Sequence, residues 1–341
     1  MFEKFLLLLN IIALSYGYAI SPLLNQWYPI DFIKNIDITK PHSYNIGELP
    51  LVSWFTTNNT LSVKTTINIC NHRGSKLGHG KVKDGCLVCP YHGLKHKTSF
   101  GKTIIYQDKL WWAYEPITHL PPSIPLYNDK NYESSFIKID INAGLKDCMD
   151  NLMDLNHAGS VHNNILGFGS DVPASDLKTY EYSPTKIGIS FAYKSNSNFK
   201  HIKNEIEITK NFNMIEYPFS SWSRVSMPNN EHLYVNIHML PLAKNKTRWL
   251  VTLRHNYWRS YFEKLIMKIA AKCILLQDAS QLSQQADQNE LRSFIENKQE
   301  MASEDHFKLM KRMFSKYTYP NSETVSNLYL YNLGNIHKQA I

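Results

Sequence analysis

Short runs of alternating apolar and polar residues mark the first third of this 341-residue chain. Leu49–Thr57 (LPLVSWFTT), Leu61–Cys70 (LSVKTTINIC), Gly85–Pro90 (GCLVCP) and Lys109–Pro116 (KLWWAYEP) are separated by turn residues. A period near two, with β-branched and aromatic residues, predicts strands there. The proline-rich stretch His119–Pro125 breaks the pattern and predicts a domain boundary. Beyond it, Ser135–Ile141, Ile187–Lys194, His232–Leu242 and Arg248–Tyr257 read as sheet, and Asn142–His157 as a helix. From about residue 258 to 297 the pattern is helical, with apolar positions at Leu265, Ile266, Ile269, Ala270, Cys273 and Ile274. A shorter helix is expected over Glu304–Tyr317. The expected class is α+β. A small all-β domain covers 25–118, a larger domain of antiparallel sheet plus helices covers 119–318, and a tail covers 319–341.

Composition adds a core and a compartment. Hydrophobic residues make up 43% and charged residues 19%, which excludes a disordered chain. Twenty Tyr, fifteen Phe and seven Trp suit β-rich packing around an apolar pocket. Five cysteines (Cys70, Cys86, Cys89, Cys148, Cys273) are too few for a disulfide framework. They suggest a metal site in a reducing compartment, cytoplasm or plastid, which makes the sequons at Asn58 and Asn245 accidental. Residues 1–24 read as a hydrophobic leader or anchor. Phe5–Ile20 carries no charge but is short for a spanning helix of about 20 residues. Membrane association through residues 5–20, a targeting segment and a plain core helix are the competing readings. The net charge is +8, and the lysines are densest over Lys76–Lys102. That patch is either a solvated surface or a docking face for an acidic electron-transfer partner. No basic stripe with interleaved aromatics argues for nucleic acid.

The densest chemistry lies in residues 69–96, where Cys70-x-His72 is followed after sixteen residues by Cys89-x-x-His92. Two Cys and two His can hold a [2Fe–2S] centre, the thiolates on one iron and the imidazoles on the other. Gly74 and Gly93 close the two arms and permit tight turns. Zinc held by Cys70, His72, Cys86 and Cys89 is the alternative. His79 and His96 read as ordinary surface histidines.

These runs, CNHRGSKL and CLVCPYHGL, closely resemble the Rieske domain of the Rieske non-haem iron oxygenases. The resemblance implies Cys70, His72, Cys89 and His92 as cluster ligands. High-potential Rieske proteins carry an extra disulfide-forming cysteine in each loop; Ser75 and Tyr91 stand at those places here. The resemblance is therefore to the low-potential kind that feeds an oxygenase site.

An oxygenase needs a second iron, and Asn151–Asn164 (NLMDLNHAGSVHNN) contains Asp154-x-x-His157-x-x-x-x-His162. Two His and one carboxylate form the facial triad of non-haem Fe(II). Positions five apart point about 140° apart on an ideal helix, so the two histidines share a metal only if the helix ends or distorts between them. Gly159 lies in that gap. The motif resembles the family's second motif, which implies His157 and His162 as iron ligands. It also implies that Asp154 is the carboxylate linking a Rieske histidine of one subunit to the mononuclear site of its neighbour. The third ligand is expected at Asp278 in CILLQDASQLSQQ, a carboxylate amid apolar residues, with Asp287 in reserve.

The resemblance covers roughly residues 25–318. It implies an oxidoreductase that uses O₂ and two external electrons to hydroxylate, demethylate or otherwise oxidise an apolar cyclic substrate, with a [2Fe–2S] cluster and mononuclear Fe(II) as cofactors. The chain looks most like the branch built of α-subunits alone, which includes enzymes similar to pheophorbide a oxygenase and to vanillate-type O-demethylases, with the resemblance leaning to the former; a sterol- or lipid-oxidising branch is the neighbouring option. No G-x-G-x-x-G run is present, so a ferredoxin or flavin reductase is the expected donor. Family analogy implies a homotrimer. A Rieske electron carrier with a non-catalytic second domain is the competing class.

Overall fold

The computed structural model describes residues 26–56, 61–114, 117–162, 175–194, 208–227 and 230–288, together with Arg312. The leader, the tail and, apart from Arg312, the helix expected over Glu304–Tyr317 lie outside the described residues. The N-terminal part is all β: β1 (Tyr28–Phe32), β2 (His42–Ile46), β3 (Leu49–Thr56), β4 (Ser62–Ile67), β5 (Lys81–Lys83), β6 (Cys86–Val88), β7 (Lys95–His96), β8 (Lys102–Tyr106) and β9 (Lys109–Ala113). They form three antiparallel three-stranded sheets, ordered β1-β9-β8, β2-β3-β4 and β5-β6-β7.

The second part is one seven-stranded antiparallel sheet with helices packed on it. Its strands are β10 (Glu133–Ile141), β11 (Ser175–Ser183), β12 (Lys186–Lys194), β13 (Ile208–Glu216), β14 (Ser220–Met227), β15 (Glu231–Ala243) and β16 (Lys246–His255), in the order β10-β16-β15-β14-β13-β12-β11. The edge strand β10 shows how sequence sets the faces. Ile137, Ile139 and Ile141 point inward, while Lys138 and Asp140 point the other way. On that outer side Asp140 lies opposite Arg248, which grips it through Nε at 2.7 Å and Nη2 at 2.9 Å. A cross-strand pair of this kind contributes about 0.2–1 kcal/mol and helps fix the register.

Among the described residues, three α-helices of more than one turn accompany the sheet: α1 (Leu145–Met153), α2 (His157–Val161) and α3 (Tyr261–Asp287). The helix expected over Asn142–His157 is two pieces, because Asp154 leaves α1 in an extended conformation. A capping box starts α3: Ser260 Oγ accepts from the Glu263 amide, and the Glu263 carboxylate accepts from the Ser260 amide. Its buried positions are Met267, Leu275, Asp278 and Leu282. The apolar residues that predicted the helix face the other way, with Ile266 and Ile269 more than half exposed.

A single apolar core runs from Tyr28 and Trp112 in the first part to Met239, Trp249 and Leu282 in the second. Aromatic contacts join the parts, Tyr28 to Phe219 and Phe32 to Phe136. Two lysines cross the same boundary: Lys138 reaches Asp31 at 2.8 Å, and Lys109, with no exposed surface, donates to Thr252 Oγ1 at 3.0 Å. A smaller core of Val52, Trp54, Leu77 and Leu87 sits beneath the β5-β6-β7 sheet and contains Cys70 and Cys89.

Candidate metal centres

The two Cys/His loops repeat one design. In the first, the Cys70 amide donates to Ser75 O at 2.8 Å and the Gly74 amide to Cys70 O at 2.8 Å. In the second, the Cys89 amide donates to Leu94 O at 2.9 Å and the Gly93 amide to Cys89 O at 3.1 Å. Both turns close through a left-handed glycine, Gly74 at φ +68° and Gly93 at φ +73°, a conformation that costs side-chain-bearing residues about 1 kcal/mol or more. The turns bring two buried thiols into mutual contact and set the His72 and His92 rings 4.8 Å apart at the exposed tip.

Each loop also aims amides at its sulfur. Burial pushes the Cys70 thiol up, against the His72 and Arg73 amides that pull it down. Burial acts on Cys89 too, but there the Tyr91 amide, the Cys70 thiol, the His92 amide and Ser75 win and hold the thiol below its ordinary value. Two thiols backed by amides, with two imidazoles beside them, suit a two-iron cluster with one iron on each pair. Cys86 does not join them: its thiol donates to Asp84 O at 3.4 Å. That geometry removes the four-ligand zinc alternative.

The second centre is assembled from α1, α2 and α3. His157 opens α2, and His162 follows its last residue. The helix thus ends between the two histidines, as the five-residue spacing demands, although Gly159 lies within it. The rings stand 5.2 Å apart at 74°. Asp278 Oδ1 meets His157 Nε2 at 3.3 Å and His162 Nε2 at 3.2 Å. Among the described residues, these three form the one His/Cys/Asp/Glu group drawn together on the scale of a single ion. Ligands at right angles on one ion, with bonds of about 2.1 Å, would be about 3 Å apart.

Both imidazoles are oriented from behind. His162 Nδ1 donates to Gln277 Oε1 at 2.9 Å, and His157 Nδ1 donates to the Asp154 carbonyl. These contacts engage Nδ1 of each ring and leave each Nε2 facing Asp278. The Asp154 carboxylate accepts from the Asn156 amide at 3.0 Å, so Asp154 touches the His157 ring through its backbone. Asn151 Nδ2 approaches Asp278 at 3.4 Å. Burial pushes the His157 imidazolium down, but the Asp278 carboxylate overrides this and holds it above the ordinary value. Burial likewise pushes Asp278 up, and the two histidines hold it low. Asp287, the reserve ligand, ends α3 more than two turns beyond Asp278 and is not in the group.

Gln277 and Asn151 carried no signal in the sequence; their roles appear only when α3 is laid against α1 and α2. Gln277→Leu keeps all three ligands but removes the acceptor for His162 Nδ1. It is expected to weaken metal retention about 10–100-fold, measured by chelator titration. Retention equal to wild type would show that Gln277 does not set the ring.

Residues 26–105 match the Rieske [2Fe–2S] domain family. That segment is a Rieske [2Fe–2S] domain. Pheophorbide a oxygenase from Oryza sativa subsp. japonica is 23% identical over 179 residues, 42% of this chain and 34% of that one. Chlorophyllide a oxygenase from Arabidopsis thaliana is 24% identical over 280 residues, 72% of this chain and 50% of that one. The chain thus spans between a third and a half of the length of these plant relatives. The crystal structure of dicamba monooxygenase bound to dicamba superposes with a TM-score of 0.67 at 16% identity, covering 91% of this chain and 98% of that one. The chain therefore has the fold of dicamba monooxygenase, and its N-terminal part is the Rieske domain, which binds a [2Fe–2S] cluster. No helix among the described residues is long and apolar enough to cross a membrane.

Proposed function

We propose that this protein is the oxygenase component of a Rieske system, acting on an apolar cyclic substrate of aromatic or tetrapyrrole type. The observation that carries the reading is the convergence of His157, His162 and Asp278, with both Nδ1 atoms already engaged. An electron carrier has no use for such a triad.

Cys70, Cys89, His72 and His92 would hold the cluster, and His157, His162 and Asp278 a ferrous ion. Together these supply the electrons and the site for reductive activation of O₂. The chain's own residues do the rest. Asp278 supplies the one negative charge in the triad, so a divalent ion there keeps a net positive charge. Gln277 and the Asp154 carbonyl fix the imidazoles, so the open side of the triad keeps one orientation. The Asp154 carboxylate, at the C-cap of α1, is the candidate link to a Rieske histidine of a neighbouring copy.

The sheet face packed on α1 is mostly apolar with a few amides, in keeping with an apolar cyclic substrate. Ile189 and Phe191 share that face with Asn211 and Asn213, and Asn213 Nδ2 reaches Leu152 O at 3.4 Å. The substrate classes of the relatives, pheophorbide a, chlorophyllide a and dicamba, support this range. A ferredoxin or flavin reductase would supply the electrons, in a compartment that keeps the thiols reduced.

The test is an iron and sulfide count with EPR of the dithionite-reduced protein, followed by O₂-dependent turnover of aromatic and tetrapyrrole substrates with a ferredoxin system. About three irons and two sulfides per chain are expected, from one [2Fe–2S] centre and one mononuclear ion. Two irons with a Rieske signal, unchanged after ferrous loading, would reduce the protein to a carrier.

A further inference from the structure

The positive charge of this chain is concentrated in one place. Between residues 64 and 102 there are eight Lys or Arg and a single acid, Asp84, a net +7 against +8 for the whole chain. The other 302 residues are thus nearly neutral. The fold gathers much of this charge on one face. In the β5-β6-β7 sheet, Val82 and Leu87 turn inward to the small core, so Lys81, Lys83 and Lys95 turn outward and are exposed. Lys97 follows β7, and Lys64 joins it by donating to Lys97 O at 3.2 Å. Between them lies a cleft of about 300 Å³ lined by Lys64, Asp84, Cys86, Lys95 and Lys97. Among the described residues, Asp84 pairs with Lys95, at 3.7 Å.

The position of this face matters as much as its sign. Val88 ends β6 opposite Lys95, and the loop between them, 89–94, is the second cluster loop. The lysines therefore lie on the hairpin that carries Cys89, while His72 and His92 occupy the tip beyond it. We propose that the outward face of the β5-β6-β7 sheet is the docking site for the electron donor, an acidic one-electron protein of ferredoxin type. The inference rests on the oxygenase reading above. It adds a direction: electrons enter beside Cys89, leaving the histidine tip free to face the site they are delivered to. One electron passes per encounter. The reduced donor is oxidised, one cluster iron goes from ferric to ferrous, and no bond is made or broken.

Like charges held this densely cost stability through repulsion, and a complementary acidic surface relieves it while steering encounter. Lys81, Lys83 and Lys97 take no part in holding the cluster, so the variant Lys81→Glu/Lys83→Glu/Lys97→Glu tests the face alone. Binding of an acidic plant-type ferredoxin and stopped-flow reduction of the cluster by it would be measured at low and high ionic strength. Wild type should bind and be reduced fastest at low salt and slow steeply as salt rises. The variant should lose about tenfold or more in both at low salt, from the steering term alone, and its salt dependence should flatten or reverse. Its Rieske EPR signal and its reduction by dithionite at high salt should match wild type.

A variant that binds and is reduced as fast as wild type would overturn the proposal. So would a change in oligomeric mass on charge reversal, which would give the face to a second copy, or ferredoxin-independent binding of DNA or anionic vesicles with no effect on reduction. If wild type shows no Rieske signal, the cluster assignment fails instead, and the binding measurement still reports on the face.

Discussion

Asp278→Asn is expected to abolish retention of the mononuclear metal and all O₂-dependent turnover, while the Rieske EPR signal keeps its wild-type intensity. The substitution is nearly isosteric, so α3 should pack as before. What changes is charge. Asp278 is 5% exposed, and its carboxylate is the one acidic side chain of the proposed triad. Removing one partner of a buried charge pair costs about 3–5 kcal/mol. At about 1.4 kcal/mol per tenfold, that is a loss of roughly 10²–10⁴ in metal affinity. The readout is metal content: the third iron should be lost and the two irons and two sulfides of the cluster retained. Retention of three irons would show that the ion is held elsewhere, and loss of the cluster signal as well would mean that the substitution had unfolded more than one site.

The Cys/His loops and the histidine pair were legible because their chemistry is compressed into short stretches. Cys70 to His72, Cys89 to His92 and Asp154 to His162 each fall within a short stretch, so the family resemblance maps onto them residue by residue, where spacing alone left a zinc alternative open. Asp278 lies 116 residues beyond His162 and was visible only as a carboxylate in an apolar run. Gln277, its neighbour, looked like any helix-surface amide, since nothing local tells which side of α3 faces α2. The strands β13 and β14 give a weak sequence signal for a related reason. β13 buries Asn211 and Asn213 beside Met214 and Ile215, and β14 buries Ser221. Polar residues on a buried face erase the alternation that marks β10. The apolar stripe of α3 gave the right helix but the wrong face, because Ile266 and Ile269 are exposed and the buried side carries the acid Asp278.

Lys109, in sequence no more than the first residue of a strand, is buried at the boundary between the two parts. Its side chain is fully enclosed, with one hydrogen bond to Thr252 and the Phe32 ring 5.1 Å from Nζ. Burial lowers its pKa to about 7, with only partial compensation from Asp108. An unfolded chain binds that proton up to pH about 10.4, so between about pH 7 and 10.4 the unfolded state holds more protons than the folded state. Stability therefore rises with pH across this window, and the full cost of the buried ammonium is felt below pH 7. At about 1.4 kcal/mol per pH unit, the cost at neutral pH is on the order of 4–5 kcal/mol. Lys109→Met keeps the length of the side chain and sets a thioether against the Phe32 ring. It gives up one hydrogen bond to Thr252, worth about 1 kcal/mol. The variant should be more stable than wild type by roughly 3–4 kcal/mol at pH 7, measured by chemical denaturation, and the difference should vanish as pH approaches 10.4. A variant equal to or weaker than wild type at pH 7 would mean that water or an anion reaches Nζ. The neighbouring His238 would feel the same change. It is buried against Trp111 and pushed well below its ordinary pKa, first by desolvation and then by the Lys109 charge. Both groups sit where β9 of the Rieske part meets β15 and β16 of the larger sheet, so the boundary between the two parts is held by groups that are more stably buried when neutral.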